Sequence, residues 1–259
     1  MKRLVICVIS IMTIGTLGWA EESYRLNLYQ DTLLSGTSLG VVALGYFMEG
    51  EAGNQQNETN INRLDQALMF PGEENLDNVG TVLACGALLM PGISALAAGG
   101  GVETWSTYGT MYAQAILLTS GTKNLLKAGV SRWRPYTYDD DFHATAAEAE
   151  GNDDYYNSFP SGHTAYAFLG ASFLSTTFRR EFPESRWKTP LTVAAYGLAG
   201  TVGIVRVLSG EHFLSDVAVG AAIGSLWGVA IPYIHRNRPE ESGIQIASFG
   251  RSISFNLSY

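Results

Sequence analysis

Residues 189–234 read TPLTVAAYGLAGTVGIVRVLSGEHFLSDVAVGAAIGSLWGVAIPYI, and they set the architecture of the chain. Two uncharged segments, Thr189–Val205 and Val217–Ile234, flank a short turn that holds every charged residue of the stretch. Neither segment alternates between apolar and polar residues as a strand does, and each is long enough for a helix. The stretch therefore predicts two helices joined by a polar turn.

Four further uncharged stretches of helical length come earlier in the chain: Thr32–Met48, Val79–Val102, Thr104–Thr122 and Tyr155–Phe178. Charged residues make up only 15% of the chain, against about 25% in an average soluble domain. All six stretches are rich in glycine, alanine, serine and threonine, which let helices pack closely within a membrane. The predicted fold is all-α, a helical bundle of about five or six helices, and a membrane-embedded bundle is favoured.

A soluble periplasmic bundle stays open, because the mean hydropathy is only +0.07. The connections give a second criterion: residues 49–78 and 139–154 are acidic, whereas basic residues follow the fourth and sixth stretches. Basic loops predict a cytoplasmic face, so the acidic connections would lie outside the inner membrane. This arrangement requires that Thr32–Met48 does not span, whether the N-terminus is a cleaved signal or an uncleaved anchor.

The chain divides into three expected parts. Residues 1–20 have a basic start, an apolar run and a small-residue end, which predict a signal peptide, with an N-terminal anchor as the alternative. Residues 21–240 form the expected helical-bundle domain. Residues 241–259 form a C-terminal tail whose alternating pattern predicts a single strand.

The charge excludes one class of partner. The formal net charge is −8, and residues 1–20 hold two basic residues and no acidic ones, so the remainder carries −10. Nucleic-acid binding needs a basic face and is not expected. Cys85 lies in an apolar stretch and is expected to be a buried, inert thiol. The oligomeric state stays open.

Three clusters carry candidate chemistry. In the first, Lys127 and Arg134 lie seven residues apart before Pro135, so on a continuing helix they would share one face and could hold a phosphate from two sides. In the second, Ser161, Gly162 and His163 come just before an apolar run, where a helix N-terminus directs N–H groups at an anion. Each cluster alone also fits ordinary helix capping.

The third cluster runs from Arg206 to Asp216. His212 and Asp216 are four residues apart and would share a helix face, so that Asp216 could orient His212 as an attacking group. Arg206 could reach the same anion. A surface His–Asp pair is the alternative for this cluster alone. In a bundle, all three clusters would meet at helix ends on the side of the acidic connections.

The ordered set Lys127-x6-Arg134-Pro135, Pro160-Ser161-Gly162-His163 and Arg206-x5-His212-x3-Asp216 resembles the three-part signature of the type-2 phosphatidic acid phosphatase superfamily. That superfamily also includes class A acid phosphatases and vanadium haloperoxidases. The resemblance implies that His212, aimed by Asp216, attacks phosphorus and that His163 protonates the leaving group. It implies no metal and no other cofactor. The phosphate oxygens would be stabilised by Lys127, Arg134, Arg206, Ser161 and the Gly162 amide.

One departure is Val205, because the family usually has serine before the third-motif arginine, and we expect reduced or altered phosphate binding from it. The favoured function is a phosphatase of lipid phosphates or pyrophosphates, in the inner membrane with a periplasm-facing site. A soluble periplasmic acid phosphatase acting on small phosphomonoesters is the second possibility. A vanadium haloperoxidase and a non-catalytic binding protein are the third and fourth.

Overall fold

The computed structural model describes residues 23–48, 61–139 and 153–237, together with two short strands near the C-terminus. The expected signal peptide or anchor, residues 1–20, lies outside the described residues. Within them are eight α-helices: α1 Leu28–Met48, α2 Arg63–Ala67, α3 Glu74–Leu89, α4 Gly92–Ala97, α5 Val102–Gly129, α6 Gly162–Glu181, α7 Lys188–Leu208 and α8 Leu214–Ile234. Short 3-10 helices cover Pro135–Tyr138 and Asp153–Tyr156. The predicted all-α bundle is confirmed.

Two predicted helices have different limits. The stretch Val79–Val102 is not one helix, since α3 ends at Leu89 and α4 begins after Pro91, whose ring has no backbone N–H to donate. The stretch Tyr155–Phe178 becomes helical only at Gly162. Cys85 is exposed on α3, so the expectation of a buried thiol was wrong.

The tail forms two strands where one was expected. β1, Gln245–Phe249, pairs antiparallel with β2, Ser252–Asn256. Each strand of the tail therefore has the other as its partner.

The centre of the bundle is α6, which packs closely against α8. A side-chain Cβ at Gly220 would lie 2.4 Å from the Ser161 carbonyl oxygen, and one at Gly224 would lie 2.0 Å from the Ala165 carbonyl oxygen. Both positions therefore require glycine, because only a residue without Cβ leaves room for the neighbouring backbone. The approach holds the beginning of α8 against the beginning of α6, and this is where the candidate site lies.

Two apolar clusters surround α6. Met111 of α5, Phe173 of α6 and Ile231 of α8 are fully buried in one of them. The other joins α3, α6 and α7 through residues such as Ala87 and Val202. Burying this apolar surface is the main force that holds the helices together.

At the end of the bundle opposite the candidate site, the residues before α1 bond to the residues after α8. The backbone N–H of Arg25 donates to the His235 carbonyl, and that of Asn237 donates to the Ser23 carbonyl, both at 3.0 Å. Arg180, in the last turn of α6, donates to the Asn237 carbonyl at 2.7 Å. Basic residues thus gather at the end that is far from the beginnings of α6 and α8.

Three helical segments among the described residues are long and apolar enough to cross a membrane. They are Glu74–Ala97, which includes both α3 and α4, Lys188–Leu208 and Leu214–Ile234. The helix α1 has 21 residues but is not among these three, although many of its large apolar side chains are exposed.

Candidate active site

The three sequence clusters meet at one end of the bundle. Lys127 lies in the last turn of α5 and Arg206 in the last turn of α7. The beginnings of α6 and α8 are tied directly, because the Ser161 N–H donates to the Asp216 carbonyl at 3.1 Å. The His212 N–H donates to the Arg206 carbonyl at 3.2 Å, which fixes the turn between α7 and α8.

His212 is buried, with 2% of its surface exposed, and its ring is held in one orientation. Its Nδ1 lies 2.7 Å from the carbonyl oxygen of Ser158. A carbonyl oxygen only accepts hydrogen bonds, so Nδ1 carries the proton and Nε2 carries the free electron pair. Among the residues that the structure describes, no hydrogen bond to Nε2 of His212 is found. This nitrogen is therefore available for attack on an electrophile.

Asp216 does not orient His212 directly, and the expected His–Asp hydrogen bond is absent. Its Oδ2 lies 4.0 Å from Nδ1 of His212, which is beyond hydrogen-bonding distance. The same oxygen instead accepts from Ser158 Oγ at 2.5 Å and from the Phe213 N–H at 3.0 Å. Asp216 and His212 are thus connected through Ser158, because the backbone carbonyl of that serine holds the ring.

Three cations surround the two histidines. Arg134, Arg206 and Lys127 all interact electrostatically with His212 and also with His163. Burial first, and then these positive charges, hold the pKa of His212 well below its usual value of 6.5. His212 is therefore neutral at pH 7, as a nitrogen nucleophile must be.

Arg134 reaches the site by a different path from the one expected. α5 ends at Gly129, so Arg134 and Lys127 do not share a helix face. Arg134 lies in an extended segment whose N–H donates to the Tyr155 carbonyl at 2.8 Å. The same segment receives the Ser158 N–H on the Arg132 carbonyl at 3.0 Å, which fixes the loop that holds His212.

Carboxylates of the chain itself contact the phosphate-site arginines. Glu211 forms an ion pair with Arg134, and its Oε2 lies 3.5 Å from an Arg206 nitrogen. Arg206, only 1% exposed, also forms an ion pair with Asp77 of α3. The sequence motifs did not indicate either acid. The carboxylates of Glu211 and Asp77 contact the guanidinium groups of Arg134 and Arg206. They therefore occupy positions in which the anionic oxygens of a ligand would bind.

His163 lies in the first turn of α6. Its Nε2 lies 3.2 Å from the Thr81 hydroxyl of α3, a contact that sequence reasoning missed. Ser161 is fully buried, and its hydroxyl lies 2.9 Å from that of Thr164. A Cβ at Gly162 would lie 3.2 Å from Lys123, so this glycine leaves room for a lysine side chain beside the helix start.

Val205 faces α3. Its Cγ1 lies 3.2 Å from the position of a Cβ at Gly80, so the valine packs against a glycine of the neighbouring helix. An apolar side chain here offers no hydrogen bond to a phosphate oxygen. The effect of this departure on binding stays a prediction.

Two further residues join the site from outside the motif positions. Arg132 donates to Asp216 at 2.5 Å, and Asp65 of α2 accepts from Arg132 at 2.8 Å. Arg132 stands between Lys127 and Arg134 in the sequence, but nothing in the sequence pattern distinguishes Asp65. Within residues 23–48, 61–139 and 153–237, no group of three or more histidine, cysteine or acidic side chains is placed to hold a metal ion.

Comparison with known proteins identifies the family of the chain. The sequence model of the PAP2 superfamily matches residues 108–240, which include all the site residues predicted from the sequence. The chain belongs to the PAP2 superfamily. PAP2 is the family that the ordered set of motifs resembles, so this prediction is confirmed.

Several curated PAP2 relatives are lipid phosphatases by name. The chain is 35% identical over 127 residues to the lipid A 1-phosphatase of Porphyromonas gingivalis, a match to 49% of this chain and 23% of the relative. It is 35% identical over 88 residues to a probable diacylglycerol pyrophosphate phosphatase of Schizosaccharomyces pombe, covering 31% and 29% of the two chains. The chain thus matches less than a third of the length of either relative.

A third relative and a solved structure complete the comparison. Lipid phosphate phosphatase 1 of Arabidopsis thaliana is 28% identical over 172 residues, covering 52% of this chain and 51% of the relative. The crystal structure of a transmembrane PAP2-type phosphatidylglycerolphosphate phosphatase from Bacillus subtilis matches with a TM-score of 0.44 and 21% identity, over 80% of this chain and 96% of that chain.

Proposed function

We propose that this chain is a metal-independent phosphatase that hydrolyses lipid phosphomonoesters or pyrophosphates through a phosphohistidine intermediate on His212. The observation that carries the proposal is the state of His212. Its Nδ1 proton is fixed on the Ser158 carbonyl at 2.7 Å, its Nε2 holds a free electron pair, and three cations lie around it. A neutral nitrogen among positive charges suits attack on a negatively charged phosphoryl group.

In the first step, Nε2 of His212 attacks phosphorus, and an N–P bond forms as the bond from phosphorus to the ester oxygen breaks. The electron pair of the broken bond goes to the leaving oxygen, which takes a proton from His163. Cations surround His163 in the free chain. A proton on its ring therefore becomes favourable when the negative phosphate is bound.

In the second step, His163 accepts a proton from water, which attacks phosphorus and breaks the N–P bond. Lys127, Arg134 and Arg206 stabilise the charge on the three non-bridging oxygens throughout, and this is how the site manages without a metal ion. The ion pairs of Glu211 and Asp77 with the arginines must give way to the substrate.

Lipid phosphates fit better than soluble ones. The relatives named above are phosphatases of lipid A, diacylglycerol pyrophosphate and lipid phosphates. Three helical segments in the part of the chain that the structure describes are long and apolar enough to cross a membrane. Basic residues at the opposite end of the bundle, such as Arg179 and Arg180, favour a cytoplasmic location for that end. The site would then face the periplasm.

The test is phosphate release in EDTA by the full chain in detergent, from a lipid phosphate and from a small aryl phosphate. We expect release from both, a preference for the lipid, and loss of release in His212→Ala. Release that requires an added divalent metal, or that is unchanged in His212→Ala, would contradict the mechanism. A preference for the aryl phosphate, with a protein that stays soluble without detergent, would instead support a periplasmic acid phosphatase.

A further inference from the structure

Asp65 is an acid that the proposed mechanism does not use, yet it is 1% exposed and points toward the site. It lies in α2, outside the residues that the PAP2 model matches. Its carboxylate accepts from Arg132 at 2.8 Å, from the Ser215 hydroxyl at 2.5 Å and from the Ser215 N–H at 3.0 Å. The Asn62 side chain donates a further bond at 2.5 Å. A buried carboxylate needs hydrogen-bond donors, and Asp65 has them both from its own segment and from residues distant in the sequence.

These bonds keep Asp65 charged. Burial alone would raise the pKa of Asp65, but the hydrogen bonds from Arg132 and Ser215 outweigh burial and hold that pKa below its usual value of 3.8. The carboxylate is therefore a permanent negative charge at neutral pH. Asp65 can anchor a cation over the whole range in which a phosphatase would work.

Arg132 links Asp65 to the beginning of α8. Its Nη2 donates to Asp65, and its Nη1 donates to Asp216 at 2.5 Å and to the Ser215 hydroxyl at 2.7 Å. The guanidinium carbon lies 4.0 Å above the ring centre of Phe213, the residue after His212. The planar fork of arginine is rigid enough to fix the positions of two carboxylates relative to each other.

Asp216 carries the connection to His212. Its Oδ2 accepts from the Ser158 hydroxyl, and the carbonyl of Ser158 accepts the Nδ1 proton of His212. Each link in this chain of contacts is a hydrogen bond of 2.8 Å or less. We infer that Asp65 is a positioning residue for His212 and acts through Arg132, Asp216 and Ser158. This inference rests on the proposed role of His212 as the nucleophile.

The alternative is that Asp65 only pins α2 to the bundle. The chain contains a matched example of that role at its other end, where the Oδ1 of Asp31 lies 2.6 Å from Nε2 of His235. Both acids are largely buried and each pairs with a base. The variants Asp65→Asn and Asp31→Asn remove the same charge with the same change of shape, so Asp31→Asn is the control.

The experiment uses the full chain in detergent micelles and measures phosphate release from a lipid phosphate, inhibition by orthovanadate and by inorganic phosphate, and the melting temperature. We expect Asp65→Asn to lower kcat about tenfold with KM changed by about twofold or less, because a misplaced nucleophile affects the transition state and not ground-state binding. Inhibition by orthovanadate, which imitates the transition state at phosphorus, should weaken in parallel with kcat. Inhibition by inorganic phosphate should change little, and Asp31→Asn should lower only the melting temperature.

Ser158→Ala gives a second, independent readout, because it removes the hydroxyl that links Ser158 to Asp216. If Asp65 and Ser158 act through one chain of contacts, the double variant should be little worse than either single variant. Independent effects would instead multiply to about a hundredfold loss of kcat. If Asp65→Asn does not fold, Ser158→Ala becomes the test. The inference then requires that Ser158→Ala lowers kcat and leaves KM unchanged.

Several results would overturn the inference. If kcat of Asp65→Asn equals that of the wild type, Asp65 does not position His212. The same conclusion follows from a wild-type kcat in Ser158→Ala when Asp65→Asn does not fold. Parallel weakening of both inhibitors with a fall in melting temperature assigns Asp65 a structural role only. Multiplying effects in the double variant exclude a shared path. In these cases His212→Ala still abolishes release, so the proposed function stands. Activity in His212→Ala would remove both.

Discussion

The two ends of α8 each hold a buried histidine, and the two rings are bound in opposite ways. At the C-terminal end, His235 has an acceptor at both nitrogens, the Ile231 carbonyl at 2.9 Å and Asp31 at 2.6 Å. At the N-terminal end, Nδ1 of His212 is held by a backbone carbonyl, and Oδ2 of Asp216 lies 4.0 Å away.

The difference separates a structural histidine from a reactive one. Both ring nitrogens of His235 are in contact with oxygen atoms of the chain, so neither nitrogen is open to a substrate. A single acceptor leaves Nε2 of His212 with its electron pair, and burial, together with the surrounding cations, keeps the ring neutral. Burial and a nearby carboxylate are common to both sites. What distinguishes them is how many nitrogens are occupied and which charges lie around the ring.

The largest contrast should come from replacing each histidine with an amide that keeps one of its hydrogen bonds. His212→Asn can still donate to the Ser158 carbonyl but has no nucleophile, so we expect kcat to fall by about 10⁴-fold or more. His235→Gln can still donate to Asp31 and should keep kcat within about twofold. Phosphate release by the two purified variants checks this. A comparable loss of kcat in both variants would contradict the distinction between a reactive His212 and a structural His235.

The carboxylates should differ less strongly. Asp216→Asn weakens the bonds from Arg132 and Ser158, so we expect kcat to fall about a hundredfold, with KM changed much less. Asp31→Asn should leave kcat unchanged and lower the melting temperature, because it weakens a largely buried hydrogen bond to His235, far from the chemistry. An unchanged kcat in Asp216→Asn would mean that Ser158 holds His212 without help from the carboxylate.

The bundle could be predicted from the sequence because uncharged runs such as Thr189–Val205 have no other stable arrangement. The break at Pro91 could not be placed, since the apolar composition continues across it, whereas the cluster at Ser161 and Gly162 did predict where α6 begins. The convergence of the motifs followed from helix order. Which groups His212 contacts did not, because the four-residue spacing to Asp216 permits a direct bond without requiring it.

The contacts that the sequence did not reveal join residues far apart in the chain. Asp65 and Ser215 are 150 positions apart, and Asp77 and Arg206 are 129 apart. No local pattern marks either acid, because its role arises only when α2 or α3 packs beside the site. Glu211 stands next to His212 in the sequence, but a motif gives no indication that its side chain turns back to Arg134.

The pH dependence offers a smaller but direct measure. Because the pKa of His212 lies well below 6.5, the acid limb of kcat/KM due to this group should lie below pH 6.5. The folded chain also binds fewer protons than the unfolded one, so the contribution of His212 to stability is lost as the pH falls from 6.5 toward the folded-state pKa. Both statements are checked by measuring kcat/KM and the melting temperature from about pH 4 to about pH 8, the range in which a histidine titrates. A His212→Asn variant whose melting temperature falls between pH 6.5 and about pH 4 as steeply as that of the wild type would contradict the assigned environment.

The smallest effect is expected at Glu211. Its carboxylate competes with phosphate for Arg134 and Arg206, so Glu211→Gln should strengthen inhibition by inorganic phosphate about threefold. Glu184→Gln, which changes an exposed acid in the loop between α6 and α7, is the control and should have no effect. Weaker inhibition in Glu211→Gln would show that the carboxylate supports the arginines and does not compete with the ligand.

The central claim, that Nε2 of His212 attacks phosphorus, is tested most directly by trapping the intermediate. His163→Ala removes the base for the second step, and an aryl phosphate has a leaving group that needs no proton, so the phosphoenzyme should accumulate. The reaction is stopped in alkali, where phosphohistidine survives, and the peptides are analysed by mass spectrometry. We predict phosphate on His212 and none when His212→Asn is added. Phosphate on another residue, or steady turnover of the aryl phosphate with no phosphorylated peptide, would contradict the account.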